Sequence, residues 1–379
     1  PSCTSAFLNS ELEDRLKLSF NPETMAMHED ELGFSPLAVK HLEKVFADPD
    51  DDAEYIAPGV IADDDPDNIY ARYYFKHGDG WTPTGRSMAE IIKKYRPDIT
   101  TIADPLRLCS VYGRFDGIDT VSSWTYTNPD PKSMLYIETL RREAAPENKQ
   151  VMQTITFYNY AGSLTPANDR KMRGKVISSG PTRFYENAWI NFSRAPLGMG
   201  CYFSSLLELA MEGGDPLVYA PETREAVRDF ALNIARKFGG AVRKMQNAPR
   251  RIAVLDSHIS RTFGLSPRPH SHYSNYYIYD FVTLLNMAHL PCDVVFEETI
   301  EKEGLDQYDM LVMPRCDTLP ETVYRRICDF GAAGGVLVAD QYLRAAVPDV
   351  IKFDFDFSWR RRVNANAINT GKEFVSNED

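Results

Sequence analysis

Three carboxylates stand where a short apolar segment runs out, and that placement is what could give this chain chemistry. Ala6-Phe7-Leu8-Asn9-Ser10-Glu11 reads as a strand with a polar tip, and Ile99-Thr100-Thr101-Ile102-Ala103 as another that ends in Asp104-Pro105. The proline keeps the second tip extended. Glu186 precedes Trp189 near the last strand of the first half. Parallel (β/α) barrels keep their reacting groups at C-terminal strand ends, so Glu11, Asp104 and Glu186 are candidate acids and bases. Glu11 also has a plainer reading, as a capping or salt-bridged residue beside Glu13, Asp14 and Arg15. Asp119 lies inside its own strand and reads as a structural hydrogen-bonding residue. Trp124, Tyr126, Tyr158 and Tyr160 fall at the tips of successive strands. They could form a platform for a sugar ring, or pack beneath the loops. Arg107 could bind an anionic sugar or pair with Asp104.

Such tips converge only if a parallel sheet holds them. Residues 36–47 carry apolar positions at helical spacing, and 68–77 and 84–96 read as helices, the second stopped by Pro97. Strands follow at 99–103, 117–124 and 150–158, with helices at 134–143, 170–178, 204–212 and 221–238 and a strand or helix start at 188–192. Strand, polar tip, helix is the beat of a parallel α/β fold. Residues 239–249, which open on Gly239-Gly240, read as a domain linker. The beat then restarts with strands at 251–256, 292–296, 310–314 and 336–340 and helices at 276–289 and 320–333, the pattern of a doubly wound unit. The alternating Phe353-Asp354-Phe355-Asp356-Phe357 reads as an edge strand.

Composition narrows the partners. The 379 residues suffice for two domains, and a net charge of −12 argues against a nucleic-acid or anionic-membrane surface, since both need basic patches. An aromatic fraction of 12% leans mildly toward sugar-binding clefts. The acidic runs at 48–52 and 63–65 lack the spacing of an EF-hand loop and read as solvated loops. Six scattered cysteines include no CxxC, and His270 and His272 have no further ligand nearby, so no metal site is expected. No apolar run approaches membrane-spanning length.

The strand Arg251–Asp256, the run Tyr308-Asp309-Met310-Leu311-Val312-Met313-Pro314 and the segment Phe330–Asp340 resemble one known family. They are similar to the glutamine-amidotransferase-like domain that follows the barrel in bacterial β-galactosidases of the thermophilic, trimer-forming type. Asn9-Ser10-Glu11 resembles the strand-four tip that carries that family's acid/base, and Phe75–Trp81 with Arg96-Pro97-Asp98 the helix region that follows. The resemblance implies an α/β chain: the C-terminal portion of a (β/α)8-type barrel over 1–240, a flavodoxin-like, class I glutamine-amidotransferase-like domain over 248–345, and a β segment over 346–379. Strands one to three would be missing from the chain.

The implied activity is hydrolysis of a β-galactoside or related glycan without a cofactor. One carboxyl protonates the leaving oxygen while a second attacks or activates water. Glu11 would be the acid, its pKa raised by apolar walls such as Phe7 or Trp81. Here Ser10 separates the Asn from the Glu, and Thr156–Tyr160, where the family's nucleophile would fall, holds no carboxylate. Asp104 and Glu186 are therefore the candidates for the second group within this sequence, and a nucleophile in the missing first half is the other alternative. The expected partners are a carbohydrate substrate and either further copies of the chain or another protein covering the open sheet edges of an incomplete barrel. The alternative is a non-catalytic carbohydrate-binding or assembly module. Amidotransferase chemistry is excluded, because Cys316 lies between Arg315 and Asp317 rather than in a glycine-flanked elbow and no His follows His289.

Overall fold

A computed structural model of the chain describes residues 5–8, 21–39, 57–77, 81–104, 110–125, 150–156, 158–160, 176–194, 196, 198–202, 222–245, 248–263 and 276–353. The chain packs as two units. The first comprises Pro1–Val121, Glu138–Gln150 and Pro249–Phe355, and the second Ser122–Ile137, Val151–Ala248 and Asp356–Asp379.

The first unit begins with β1 (Ser5–Phe7) and α1 (Pro22–Leu32). Asn21 caps α1 by accepting from the Glu23 N–H at 2.9 Å, and Gly33, with φ of 76°, closes it in the left-handed conformation that glycine adopts without strain. The apolar periodicity of 36–47 yields only a 3₁₀ turn at Pro36–Ala38, and residues 40–47 lie outside the described residues. After β2 (Val60–Ile61), Asp65 caps α2 (Pro66–Lys76), which is followed by α3 (Trp81–Tyr95). β3 (Thr100–Ala103) runs parallel to β1, with Phe7 opposite Ile102, and parallel to β4 (Thr120–Thr125), with Ile102 opposite Thr120. Gln150, the first residue of β5 (Gln150–Thr156), donates its N–H to the Asp119 carbonyl.

In the second unit come β6 (Tyr158–Tyr160), β7 (Val176–Ser178), α4 (Pro181–Phe192), β8 (Gly198–Tyr202) and α5 (Thr223–Asp229). A π-helical turn (Phe230–Ala235) carries α5 directly into α6 (Arg236–Met245). β8 runs parallel to β5, with Met152 opposite Gly198. Ile155 on β5 packs with Phe184, Ala188 and Phe192 of α4 and with Ala226 and Phe230.

Three expectations change here. Val176–Ser178 is a strand rather than the end of a helix, because its β-branched Val-Ile pair joins an antiparallel ladder with β6. Ala188–Phe192 is the last turn of a helix opened by Pro181. Gly239-Gly240 lies inside α6, not in a linker, because Val242 on the same helix packs against the Phe184–Phe230 core. That burial outweighs the roughly 1 kcal/mol that each glycine costs a helix.

The chain then completes the first unit. β9 (Ile252–Leu255), α7 (His258–Phe263), α8 (Tyr276–Met287), β10 (Cys292–Val295), α9 (Glu297–Glu303) and β11 (Met310–Met313) follow. After them come β12 (Leu319–Pro320), α10 (Glu321–Ala332), β13 (Val336–Asp340) and β14 (Ile351–Phe353). Five of these strands form a parallel sheet in the order β10-β9-β11-β13-β14. Numbered along the chain this is 2-1-3-4-5, an order found in doubly wound folds. β9, β10, β11 and β13 are mainly apolar, as strands buried on both faces must be, whereas the edge strand β14 is exposed along its length. Leu255, Val295, Met313 and Leu337 pack with Ile300, Val323 and Ile327.

β2 pairs in parallel with β12, which ties the 57–61 segment to this half of the unit. Gly59 makes that approach possible, since a Cβ there would lie 2.8 Å from the backbone of Arg344 and Ala345.

Candidate active site

Asp104 is fully buried, one residue beyond β3. Strand alternation fixes its side. The opposite face of β3 carries Thr101, whose N–H and hydroxyl donate to Asp119 Oδ2 at 2.8 and 2.9 Å. Lys93 of α3 reaches the same carboxylate oxygen at 2.6 Å, so the Thr101 face is the one covered by helix. Asp104 continues the Ile102 face, which turns away from α3. In a closing parallel barrel that is the inner face, and the C-terminal strand end is where catalytic groups sit.

Asp119 does the structural work expected of it. It lies just before β4, and its own N–H donates to the Thr101 hydroxyl at 3.1 Å. Partial burial works against its charge, but the Lys93 ammonium and the two Thr101 donors outweigh it and hold its carboxyl below the usual range.

The remaining candidates divide. Glu11, Arg107 and Tyr126 lie outside the described residues, as do His270 and His272. Trp81 is the first residue of α3, and Trp124 lies within β4. Tyr158 and Tyr160 stand in the antiparallel β6–β7 ladder rather than at the end of the parallel strand β5. Glu186 is exposed in the middle of α4, beside the half-buried Arg183. Its position is a helix face, not a strand tip.

Sequence reasoning missed a second set of strand-end acids. Asp256 follows β9, Glu297 follows β10, Asp317 lies four residues beyond β11, and Asp340 ends β13; all four are buried. The signal was present as an acid placed soon after each apolar run. Arg261 pairs with Asp256 at 2.7 Å, and Ser257 donates to Glu297 at 2.6 Å. The Ile259 N–H at the start of α7 also donates to Glu297, and Arg72 of α2 bridges Glu297 and Glu301, each at 3.3 Å. Asp340 accepts from the backbone N–H groups of Arg315 and Tyr342 at 2.8 and 3.1 Å. Burial raises the pKa of Asp256, Glu297 and Asp340, against the pull of these donors.

Cys316 lies among them, fully buried. Desolvation first, and then the charges of Asp340, Glu297, Asp317 and Asp256, push its thiol far up. A thiol so held is no nucleophile. Among the described residues no group of three or more His, Cys, Asp and Glu side chains is arranged to hold a metal ion, and no helix is long and apolar enough to cross a membrane.

No protein-family model matches the chain, and no curated protein sequence does so significantly. Solved structures do. A β-galactosidase from the psychrophilic Marinomonas ef1 aligns over 86% of this chain and 53% of its own, at 14% identity and a TM-score of 0.50. A β-galactosidase from Bacillus circulans sp. alkalophilus aligns over 84% of this chain and 48% of its own, at 13% identity and a TM-score of 0.52. The chain thus spans about half the length of each. At this identity the likeness is one of fold. It is a parallel α/β fold with a curled half-barrel sheet, strand order β1-β3-β4-β5-β8, similar to that of β-galactosidases.

Proposed function

We propose that this chain acts in a glycoside hydrolase that cleaves a β-galactoside or related glycan by carboxylate acid/base chemistry. The observation that carries the reading is Asp104, buried at a strand end on the inner face of a half-barrel sheet similar to that of two β-galactosidases. Glu11, four residues beyond β1 in sequence, is the proposed proton donor, and Asp104 is the favoured partner over the helix-borne Glu186. Trp81, Trp124 and Tyr126 are proposed to contact the sugar, and Arg107 to orient it. In the same proposal residues 248–345 are an amidotransferase-like domain that performs no amide chemistry, which agrees with the buried, protonated Cys316. The open edges of the half-barrel sheet are proposed to pair with another copy or a partner.

The test is turnover of aryl β-galactosides by the natural full-length protein and its Glu11→Gln and Asp104→Asn variants. Removal of either acid/base group is expected to lower kcat by about 10²–10⁴-fold. Unchanged activity in a variant removes that residue from the mechanism. Absence of turnover on any aryl glycoside by the unsubstituted protein favours a carbohydrate-binding or assembly module.

A further inference from the structure

The Ser110–Phe115 stretch is gripped from the doubly wound half of the first unit. Glu298 Oε2 accepts the Tyr112 N–H at 2.7 Å, while its other oxygen pairs with Lys76 of α2. One turn further along α9, Lys302 lies 4.4 Å from the centre of the Tyr112 ring, and Glu303 accepts from the Tyr112 hydroxyl at 3.4 Å. Two residues earlier, Ser110 takes a left-handed backbone with φ of 58°, buried close to Asp256. Two residues later, buried Arg114 donates to the Thr82 hydroxyl at 3.1 Å and lies against the rings of Phe75 and Phe115. A non-glycine residue holds positive φ only where its surroundings over-determine it. Here they do so from both sides of Tyr112.

We propose that Glu298 is a positioning residue: with Lys302 and Glu303 it forms a clasp that holds the Ser110–Phe115 stretch, which follows the strand-end acid Asp104 in sequence, in one arrangement. Residues 112–117 are turns, and Ser110 stands six positions beyond the proposed catalytic carboxylate in sequence. A charge-assisted bond to a backbone N–H is among the stronger single restraints available to such a segment. The inference rests on the glycosidase reading for its catalytic consequence, but the clasp is testable without it.

Hydrogen exchange in the natural full-length protein reads the clasp. In Glu298→Ala the amides of Tyr112–Arg114 are expected to exchange about tenfold faster or more, while those of β9 and β11 hold their rates. Glu298→Gln, which keeps an acceptor for the Tyr112 N–H, is expected to recover most of the protection. Asp309→Asn, at an exposed ion pair with Arg251 in the same unit, serves as the control and is expected to leave the loop unchanged. No acceleration in Glu298→Ala, or equal acceleration through β9 and β11, overturns the clasp. On aryl galactosides the same variant is expected to lose about tenfold in kcat with little change in KM, since misplacing a catalytic group acts on the chemical step. A loosened loop with unchanged kcat overturns the positioning role. An unsubstituted protein without turnover is instead a failure of the glycosidase reading, and exchange alone then decides the clasp.

Discussion

Two sets of carboxylates within the first unit do structural work in opposite ways. Asp119, at the beginning of β4, is only partly buried and is surrounded by donors: Lys93, the Thr101 N–H and the Thr101 hydroxyl. Its carboxyl is held low. Asp256 and Glu297, at the far ends of β9 and β10, are fully buried, and although Arg261 and Arg72 face them, burial wins and raises both. The same chemical group at a strand end is therefore a stabiliser that needs its charge in one place and a group kept costly to ionise in the other. A strand-end acid is not a catalytic acid by position alone: the edge of the doubly wound sheet is filled with paired groups and closed over by α2 and β2.

The comparison can be broken at its strongest point first. Arg261→Ala would strand the buried Asp256 charge and is expected to cost about 3–5 kcal/mol in urea unfolding monitored within the first unit. A cost below 1 kcal/mol would mean that Asp256 is already neutral or solvated there. Asp119→Ala would leave the buried Thr101 N–H without this acceptor, at about 2 kcal/mol, with a clean two-state urea midpoint shift as the measurement. Stability against pH separates the two sets by sign. Because the folded pKa values of Asp256 and Glu297 lie above their ordinary values of 3.8 and 4.5, their contribution is complete at lower pH and is lost as pH rises through the raised values. Asp119 does the reverse, contributing above 3.8 and losing that as pH falls through its lowered value. Asp256 and Glu297 each contribute a slope of up to about 1.4 kcal/mol per pH unit, while that of the screened, more exposed Asp119 is shallower. Glu297→Gln is expected to flatten the first limb and Asp119→Asn the second; a profile altered on the wrong limb contradicts the assignment. The smallest effect is Lys93→Ala, about 0.5 kcal/mol in thermal or urea midpoints, because the pair is partly open to water and screened.

Much of the first unit was legible because its strands are compact apolar runs. Met310–Met313 and Val336–Asp340 stand where they were expected, each bounded by polar or glycine residues. The short helices α7 and α9 were not anticipated. Glu297-Glu298-Thr299-Ile300 is too short for helical periodicity to show, and it is the docking of Ile300 in the core and the ion pairs to Arg72 and Lys76 that hold it. α1 could have been found from Asn21-Pro22-Glu23, a cap followed by a first-turn proline and acid. Of the site, the strand-end position of Asp104 was readable from Ala103-Asp104-Pro105. Its burial and inner-face direction were not, because they depend on which side α3 covers.

By itself the sequence determined the parallel α/β beat, the strand end that carries Asp104 and the structural role of Asp119. Each depends on residues close together along the chain, where apolar runs, caps and prolines act within a few positions. Only the tertiary structure decided that Gly239-Gly240 continues a helix, that Tyr158 and Tyr160 join an antiparallel ladder, and that Glu298 accepts the Tyr112 N–H. Those outcomes turn on which distant segments supply burial, hydrogen-bond donors and counter-charges, and local pattern carries no record of such partners.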